Sequence, residues 1–369
     1  VTARILAQAS PGEVRIAVVD ADGLLDYAIW RPGVPNGVGD LLRGRVIARA
    51  PALAGAFIAL EEDEGFLPDT EGGAALAAGA CVGVRVIRAA QAGKGPRLSA
   101  RLTEDDRTLV GAGPPALIRR GTGPLAELAR RHPRAPIRTD SPMLAAALRA
   151  GFADRLELVA PPLWDEAAEA SVDALAAPSV PLPGGGSLSI HPTAALVAID
   201  LDLGGRAGVR AEKQRAHEEL NSAALPVLAR QIRLRNLSGA ILVDWAGLSP
   251  RRRAALGPPL AAALASDPLR PRLVGFTGLG LAEIVRPRVH PPLHEMLAGP
   301  HAAGLAALRR LAADPSRPAR VRVSADVAAA LQADRLALDE FRHLTGRTLT
   351  LNADPALGRC AWRIEGGDG

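Results

Sequence analysis

A chain of 369 residues exceeds one small core and is expected to hold about two to four domains. Its 48% hydrophobic and 22% charged content exclude global disorder, and a net charge of +5 with a sequence pI near 10.1 favours polyanionic partners. Only Lys94 and Lys213 among the 44 basic residues are lysines, a bias that genomic base composition also explains, so the arginine total says little about function.

The first residues, VTARILAQASPGEVRIAVVD, lack a charged-then-apolar leader pattern, and no run approaches about 18 uninterrupted apolar residues. The expectation is a soluble, cytoplasmic protein with no membrane partner. Cys81 and Cys360 form no CxxC and are expected to be buried apolar side chains rather than a disulfide. EVRIAVVDADGLLDYAIWR reads as a hairpin turning at Asp-Ala-Asp-Gly, and the breakers Pro32, Gly33, Pro35, Asn36 and Gly37 then open a new unit.

Five short strand-like runs follow up to Leu102: RGRVIARA, AGAFIALE, EGFLP, CVGVRVIRAA and PRLSARL. Their glycine-punctuated rhythm suits a small closed barrel of OB type, an architecture that commonly binds single-stranded nucleic acid. Phe57 and Phe66 stand out in a chain with only five phenylalanines; they are either core residues or rings on which bases stack. Lys94, in AGKGPRLS, is a flexible phosphate contact or a plain solvated loop lysine. GPLAELARRH and SPMLAAALRAG then read as amphipathic helices, RLELVAP as a strand, and residues 176 to 183 as an Ala/Pro/Ser-rich linker.

Next, GSLSIHPTAALVAIDLD reads as a strand pair around a His-Pro-Thr turn. A long helix follows, AEKQRAHEELNSAALPVLARQIRLRNLSG, which closes at Gly239; AILVDWAGL is a buried strand and PRRRAALGPPLAAALASD another helix. The strand–helix–strand order brings two aspartate-bearing strand ends to one sheet edge. Asp200 and Asp202 share a face because side chains alternate along a strand. With Asp244 from the neighbouring strand, three carboxylates converge. Hard oxygen ligands of this kind suit Mg²⁺ acting on a phosphate; the alternative is that they cap loops or helix N-termini. Arg230, Arg233 and Arg235 lie along a nucleic-acid path or on a solvated helix face.

Two resemblances sharpen these readings. The run carrying Gly44, Val46, AGAFIAL (54 to 60), GFLP (65 to 68), VGVRVI (82 to 87) and RLSARL (97 to 102) resembles an S1 RNA-binding domain, which implies that Phe57 and Phe66 face RNA. LPGGGSLSIHPTAALVAIDLDLGG, NSAALPVLARQIRLRNLSGAILVDWAGL and GLGLAEIVRPRVHPPL together resemble the catalytic region of the ribonuclease E/G family. That resemblance implies magnesium ligation by Asp200 and Asp244, and backbone contacts from Arg286 and Arg288. Asp202 falls where the family usually has asparagine. The glycine-arginine turn after it carries an extra residue, so no role passes to Arg206. The family's zinc-linking cysteines are absent from PPLHEMLAGPHAAG, where His294 and His301 alone make a poor tetrahedral set; structural zinc is not expected, and any homodimer would not be zinc-linked. Arg138 and Thr139, in PIRTDSP, read as structural rather than as a sensor of the RNA 5′ end.

The expected fold is a multidomain α/β protein. The resemblance implies an RNase H-like layer (residues 1–36 and 104–177) interrupted by an S1 barrel (37–103), then a DNase I-like catalytic domain (178–298) and a small C-terminal α/β domain (299–369). The expected function is Mg²⁺-dependent endonucleolytic hydrolysis of single-stranded RNA in ribosomal RNA processing or mRNA decay. Asp200, Asp202 and Asp244 are then catalytic, and Phe57, Phe66, Lys94, Arg286 and Arg288 bind RNA. The rival is a catalytically impaired RNA-binding protein of the same fold.

Overall fold

The computed structural model describes residues 3–91, 93–202, 210–316 and 318–365, with side chains omitted for 210–216. The chain opens with β1 (Arg4–Ser10), β2 (Glu13–Asp20) and β3 (Gly23–Trp30), the last two forming the expected hairpin. Then come β4 (Leu41–Ala50), β5 (Gly55–Ala59), β6 (Glu64–Pro68), β7 (Cys81–Arg88), β8 (Arg97–Ser99), α1 (Glu104–Val110), β9 (Ala116–Arg119) and α2 (Gly123–Arg131). Strands β4, β5, β6, β8 and β7 pair in a closed ring, a five-stranded barrel compatible with an S1-like module in an α/β protein. Its interior is filled by Val46, Ala56, Ile58, Leu67, Val84, Val86 and Leu98.

Contact density divides the chain into two units: residues 34–130 with 288–291, and the remainder. This moves residues 104–130 from the α/β layer, where the sequence reading put them, into the barrel unit. The physical reason is that β9 pairs with β4, and Val110 of α1 packs with Leu41 and Leu102. No described helix is long and apolar enough to cross a membrane.

In the larger unit, β10 (Ile137–Thr139), α3 (Pro142–Phe152) and β11 (Leu156–Leu158) extend the first sheet to the order β11-β10-β1-β2-β3. Thr139 is buried in this sheet and Arg138 pairs with Glu157 at 2.7 Å. After α4 (Glu166–Asp173) the second sheet begins. Its members are β12 (Ser179–Pro181), drawn from the linker-like stretch, β13 (Ser187–Pro192), β14 (Val197–Asp202), β15 (Gly239–Asp244), β16 (Arg272–Phe276) and β17 (Ala282–Arg286), in the order 12-13-14-15-17-16. Helix α5 (Arg210–Leu234) connects β14 to the parallel β15. Its apolar stripe of Leu220, Ala224, Leu225, Leu228, Ala229 and Ile232 packs on Val197, Ile199, Ile241 and Val243. The predicted helix over PRRRAALGPPLAAALASD is in fact two, α6 (Pro250–Ala255) and α7 (Gly257–Leu264), separated ahead of the Pro-Pro pair that starts the second.

Helices α8 (Leu293–Leu297), α9 (Pro300–Ala313), α10 (Ala325–Ala333) and α11 (Arg335–Thr345) then alternate with β18 (Arg320–Val323), β19 (Thr350–Ala353) and β20 (Trp362–Ile364). These close a small sheet over a core of Leu305, Leu308, Leu311, Val321, Val327, Leu331 and Phe341. His301 is engaged by Asp334 at 2.9 Å. Cys81 and Cys360 are free thiols and both are exposed, contrary to the expectation of burial.

Four arginines read as RNA contacts or solvated cations are instead internal ties. Arg230 donates to the Leu24 carbonyl at 2.8 Å, and Arg233 pairs with the buried Asp26 at 3.2 Å. Arg235 donates to the Ala177 carbonyl at 2.6 Å. Arg286 requires a correction: it is 3% exposed, pairs with the equally buried Asp267 at 2.8 Å, and donates to Asn236 Oδ1 and the Leu237 carbonyl. Its guanidinium is consumed in holding β17 to the end of α5 and the turn after α7, so it has no donor to offer a phosphate. Removing one member of a buried pair strands the other charge at a cost of about 3–5 kcal/mol. Arg286→Ala is therefore expected to lower unfolding free energy by about that amount in urea denaturation, while RNA affinity per folded molecule stays unchanged.

Candidate active site

Strand β14 reads Val-Ala-Ile-Asp-Leu-Asp, and its period-two pattern sends Val197, Ile199 and Leu201 into the core while Asp200 and Asp202 emerge exposed on the other face. Alternation thus answers how so apolar a strand carries two carboxylates. Neither is buried, so neither bears the several kcal/mol of desolvation that an interior position would impose. In β15 the same alternation buries Ile241 and Val243 and leaves Asp244 at the strand end. The parallel register aligns Ile199 with Val243 and Asp200 with Asp244. Register partners share a sheet face and neighbouring strands lie about 4.8 Å apart, so the two carboxylates stand side by side at the C-terminal edge. On the other flank of β14, Ser189 pairs with Asp200 and Ser187 with Asp202.

The loop after Asp244 is pinned by residues that the sequence reading did not single out. Asn221 of α5 is fully buried, and its amide donates to the His217 carbonyl at 2.6 Å and the Ala246 carbonyl at 2.9 Å. Gly247 has φ +61°, and a Cβ there would lie 1.8 Å from His217 Nδ1, so the turn requires glycine on two counts. Arg253 of α6 reaches back, with Nε donating to the Leu248 carbonyl at 2.9 Å and Nη1 to Asp244 Oδ1 at 2.6 Å. Its side chain is 17% exposed, and Gly280, at φ +84°, leaves the space its Cδ occupies. In the sequence Arg253 is one of three consecutive arginines, and residue type alone does not mark which of them turns inward.

Paired carboxylates on adjacent strands supply the hard oxygen donors that Mg²⁺ prefers, one or two carboxylates with room for water and a phosphate oxygen. Asp202 lies one full pleat, about 6.6–7 Å, further along the strand. Among the described residues no group of three or more His, Cys, Asp and Glu is arranged to hold a metal. The expected convergence of three carboxylates is thus corrected to an adjacent pair with a third acid on the same face. Arg206 lies outside the described residues.

In the barrel unit, Phe57 and Phe66 are register partners with ring centroids 5.5 Å apart at 64°. Neither belongs to the barrel core, because Ala56, Ile58 and Leu67 take the inward positions of β5 and β6. Gly55 makes room for them, since a Cβ there would be 2.4 Å from Phe66 Cζ. Lys94 is exposed in a tight turn closed by reciprocal 3.0 Å backbone bonds with Gln91. Arg288 belongs to the segment 288–291, which is part of this unit and not of the sheet that carries the aspartates.

Residues 144–289 match the model of the Ribonuclease E/G family, a span that includes all three aspartates but not Phe57, Phe66 or Lys94. The chain is 32% identical over 173 residues to ribonuclease E of Escherichia coli K12, covering 46% of this chain and 15% of that protein. It is 36% identical over 123 residues to ribonuclease E of Nostoc, covering 32% and 17%. It is also 35% identical over 142 residues to a chloroplastic ribonuclease E/G-like protein of Arabidopsis thaliana, covering 37% and 14%. The aligned stretches thus span less than a fifth of the length of these three relatives. The matched segment, which carries the two strand-end aspartates in register, is thus similar to the ribonuclease E/G family.

Proposed function

We propose that the chain is a divalent-metal-dependent endoribonuclease that cuts single-stranded RNA to leave a 5′-phosphate and a 3′-hydroxyl, in ribosomal RNA processing or mRNA decay. The observation that carries this reading is the Asp200–Asp244 register. Two like charges held about one strand spacing apart repel. A fold with no catalytic use for them could place an amide or hydroxyl at either position.

Asp200 and Asp244 are the residues that would hold Mg²⁺. When bound, the ion supplies Lewis-acid stabilisation of charge on the phosphoryl oxygens and lowers the pKa of water. The chain's own residues do the rest. Arg253 offsets one negative charge and fixes the Asp244 carboxylate on Oδ1. Asp202 adds a further negative charge on the same face. The barrel holds the substrate strand, with bases on the Phe57 and Phe66 rings and phosphates on Lys94 and Arg288. Base stacking on one such ring contributes about 1–3 kcal/mol. The alternative, an RNA-binding protein of the same fold that has lost cleavage, differs only in the outcome at the sheet edge.

Incubation with a labelled A/U-rich single-stranded RNA and Mg²⁺ separates the two readings. Cleavage is expected; EDTA and Asp244→Asn each abolish it, and the variant still binds RNA. Binding without any metal-dependent cut would leave only the alternative. Arg253→Ala removes a cation beside the acidic pair, so calorimetric Mg²⁺ affinity is expected to rise about threefold to tenfold, while cleavage slows because the Asp244 carboxylate is no longer fixed. A fall in both quantities would reduce Arg253 to a purely structural tie.

A further inference from the structure

Successive register partners draw one transverse row across the outer face of the barrel. Phe57 of β5 faces Phe66 of β6, Phe66 faces Arg97 of β8, and Arg97 faces Arg88 of β7. Arg88 has the chain parity of Val84 and Val86, which point inward. A bulge between Val86 and Arg88 shifts the register and re-aims the arginine outward. Neighbouring strands are about 4.8 Å apart, so the row runs two rings and then two guanidiniums within about 15 Å. A third arginine joins from far along the chain. The Ala89 N–H donates to the Val289 carbonyl at 2.9 Å, which lays the segment 288–291 beside the end of β7 and sets Arg288 next to Arg88.

Three guanidiniums gathered in this way repel one another, yet among the described residues none of the ion pairs involves Arg88, Arg97 or Arg288. Burial, and after it the charges of Arg97 and Arg288, hold the Arg88 guanidinium below its ordinary range. Two donors three residues apart in the chain, Arg88 Nε and Gln91 Nε2, are buried with no acceptor. Each buried donor left unmade costs about 1–3 kcal/mol. Clustered cations with orphaned donors are complementary to one ligand chemistry, an oxyanion with several acceptor oxygens.

We propose that Arg88, Arg97 and Arg288, with Gln91, form a phosphate-binding site for the RNA backbone, adjoining the Phe57–Phe66 platform on which its bases stack. The anion is identified as RNA phosphate because the aromatic pair adjoins it in the same row, and this identification rests on the reading of the chain as a protein that acts on single-stranded RNA. The site assigns Arg288 to substrate grip by the barrel.

The test measures binding of a fluorescent U-rich single strand by the full chain carrying Asp244→Asn, as a function of salt. Arg88→Gln, Arg97→Gln and Arg288→Gln are each expected to weaken binding about threefold to tenfold and to flatten the slope of log affinity against log salt by about 0.7, one phosphate contact on a single strand. Arg149→Gln on the exposed face of α3 makes the same charge change and is expected to leave the slope unaltered. Phe57→Ala and Phe66→Ala should lower affinity without changing the slope. An abasic strand should keep the arginine-dependent slope and lose the dependence on the rings. Arg288→Gln changes a half-exposed residue outside the barrel strands, so it decides the matter even where Arg88→Gln fails to fold. Slopes unaltered in Arg97→Gln and Arg288→Gln overturn the site. Cleavage by the unmodified chain reports separately: cutting with arginine-independent binding sinks this inference alone, and arginine-dependent binding without cutting sinks the nuclease reading alone.

Discussion

Two aspartates held side by side at the end of parallel strands are the constraint around which the larger unit is organised. Such a pair raises the energy of the folded chain until something positive approaches, and the surrounding residues both create and tolerate this. The register is enforced by apolar side chains: Ile199 against Val243 and Val197 against Ile241 lock the strands, and the stripe of α5 covers them. A one-residue slip would turn every core residue of β14 outward. Asp200 therefore cannot evade Asp244 without dismantling the core. Arg253 supplies partial relief at one carboxylate oxygen of the pair. The arrangement stays short of positive charge, as the proposed role in holding a divalent cation requires.

The barrel handles its chemistry differently. Its interior is conventional and small, built from Val, Ile, Leu and Ala. The residues proposed to grip RNA depend on departures from regular strand geometry: a glycine that vacates space for a ring, and a bulge that rotates an arginine from the inward to the outward face. Like the Asp244 loop, with its glycine at positive φ, the barrel places local irregularity at the positions proposed to act on RNA and regular packing in its core.

Much of this was legible from the order of residues because it depends on short-range alternation. The five barrel runs, the hairpin of β2 and β3, the β13–β14 pair and the aspartates at strand ends all follow from period-two patterning and turn residues. What resisted reading depends on which distant partner a polar group meets. Arg286 and Arg288 lie two residues apart in one basic stretch, yet one is sealed against Asp267 and the other belongs to the barrel unit. Arg253 is one of three consecutive arginines, and its inward turn follows from Gly280 and the Leu248 carbonyl, neither of which is adjacent in sequence. The assignment of residues 104–130 to the barrel unit was likewise invisible, since it hinges on β9 finding the edge of β4.

The four residues 288–291 give the smaller unit a discontinuous pedigree. During synthesis the strands of the barrel leave the ribosome well before this peptide does, so the Ala89 amide lacks its acceptor until Val289 has been made. That margin of the barrel stays unfinished until the sheet that bears the aspartates has also been made. A recombinant fragment cut at the barrel's borders in the sequence would inherit that unfinished margin permanently, and grafting the short peptide onto its end is the way to restore the missing strand-side partner.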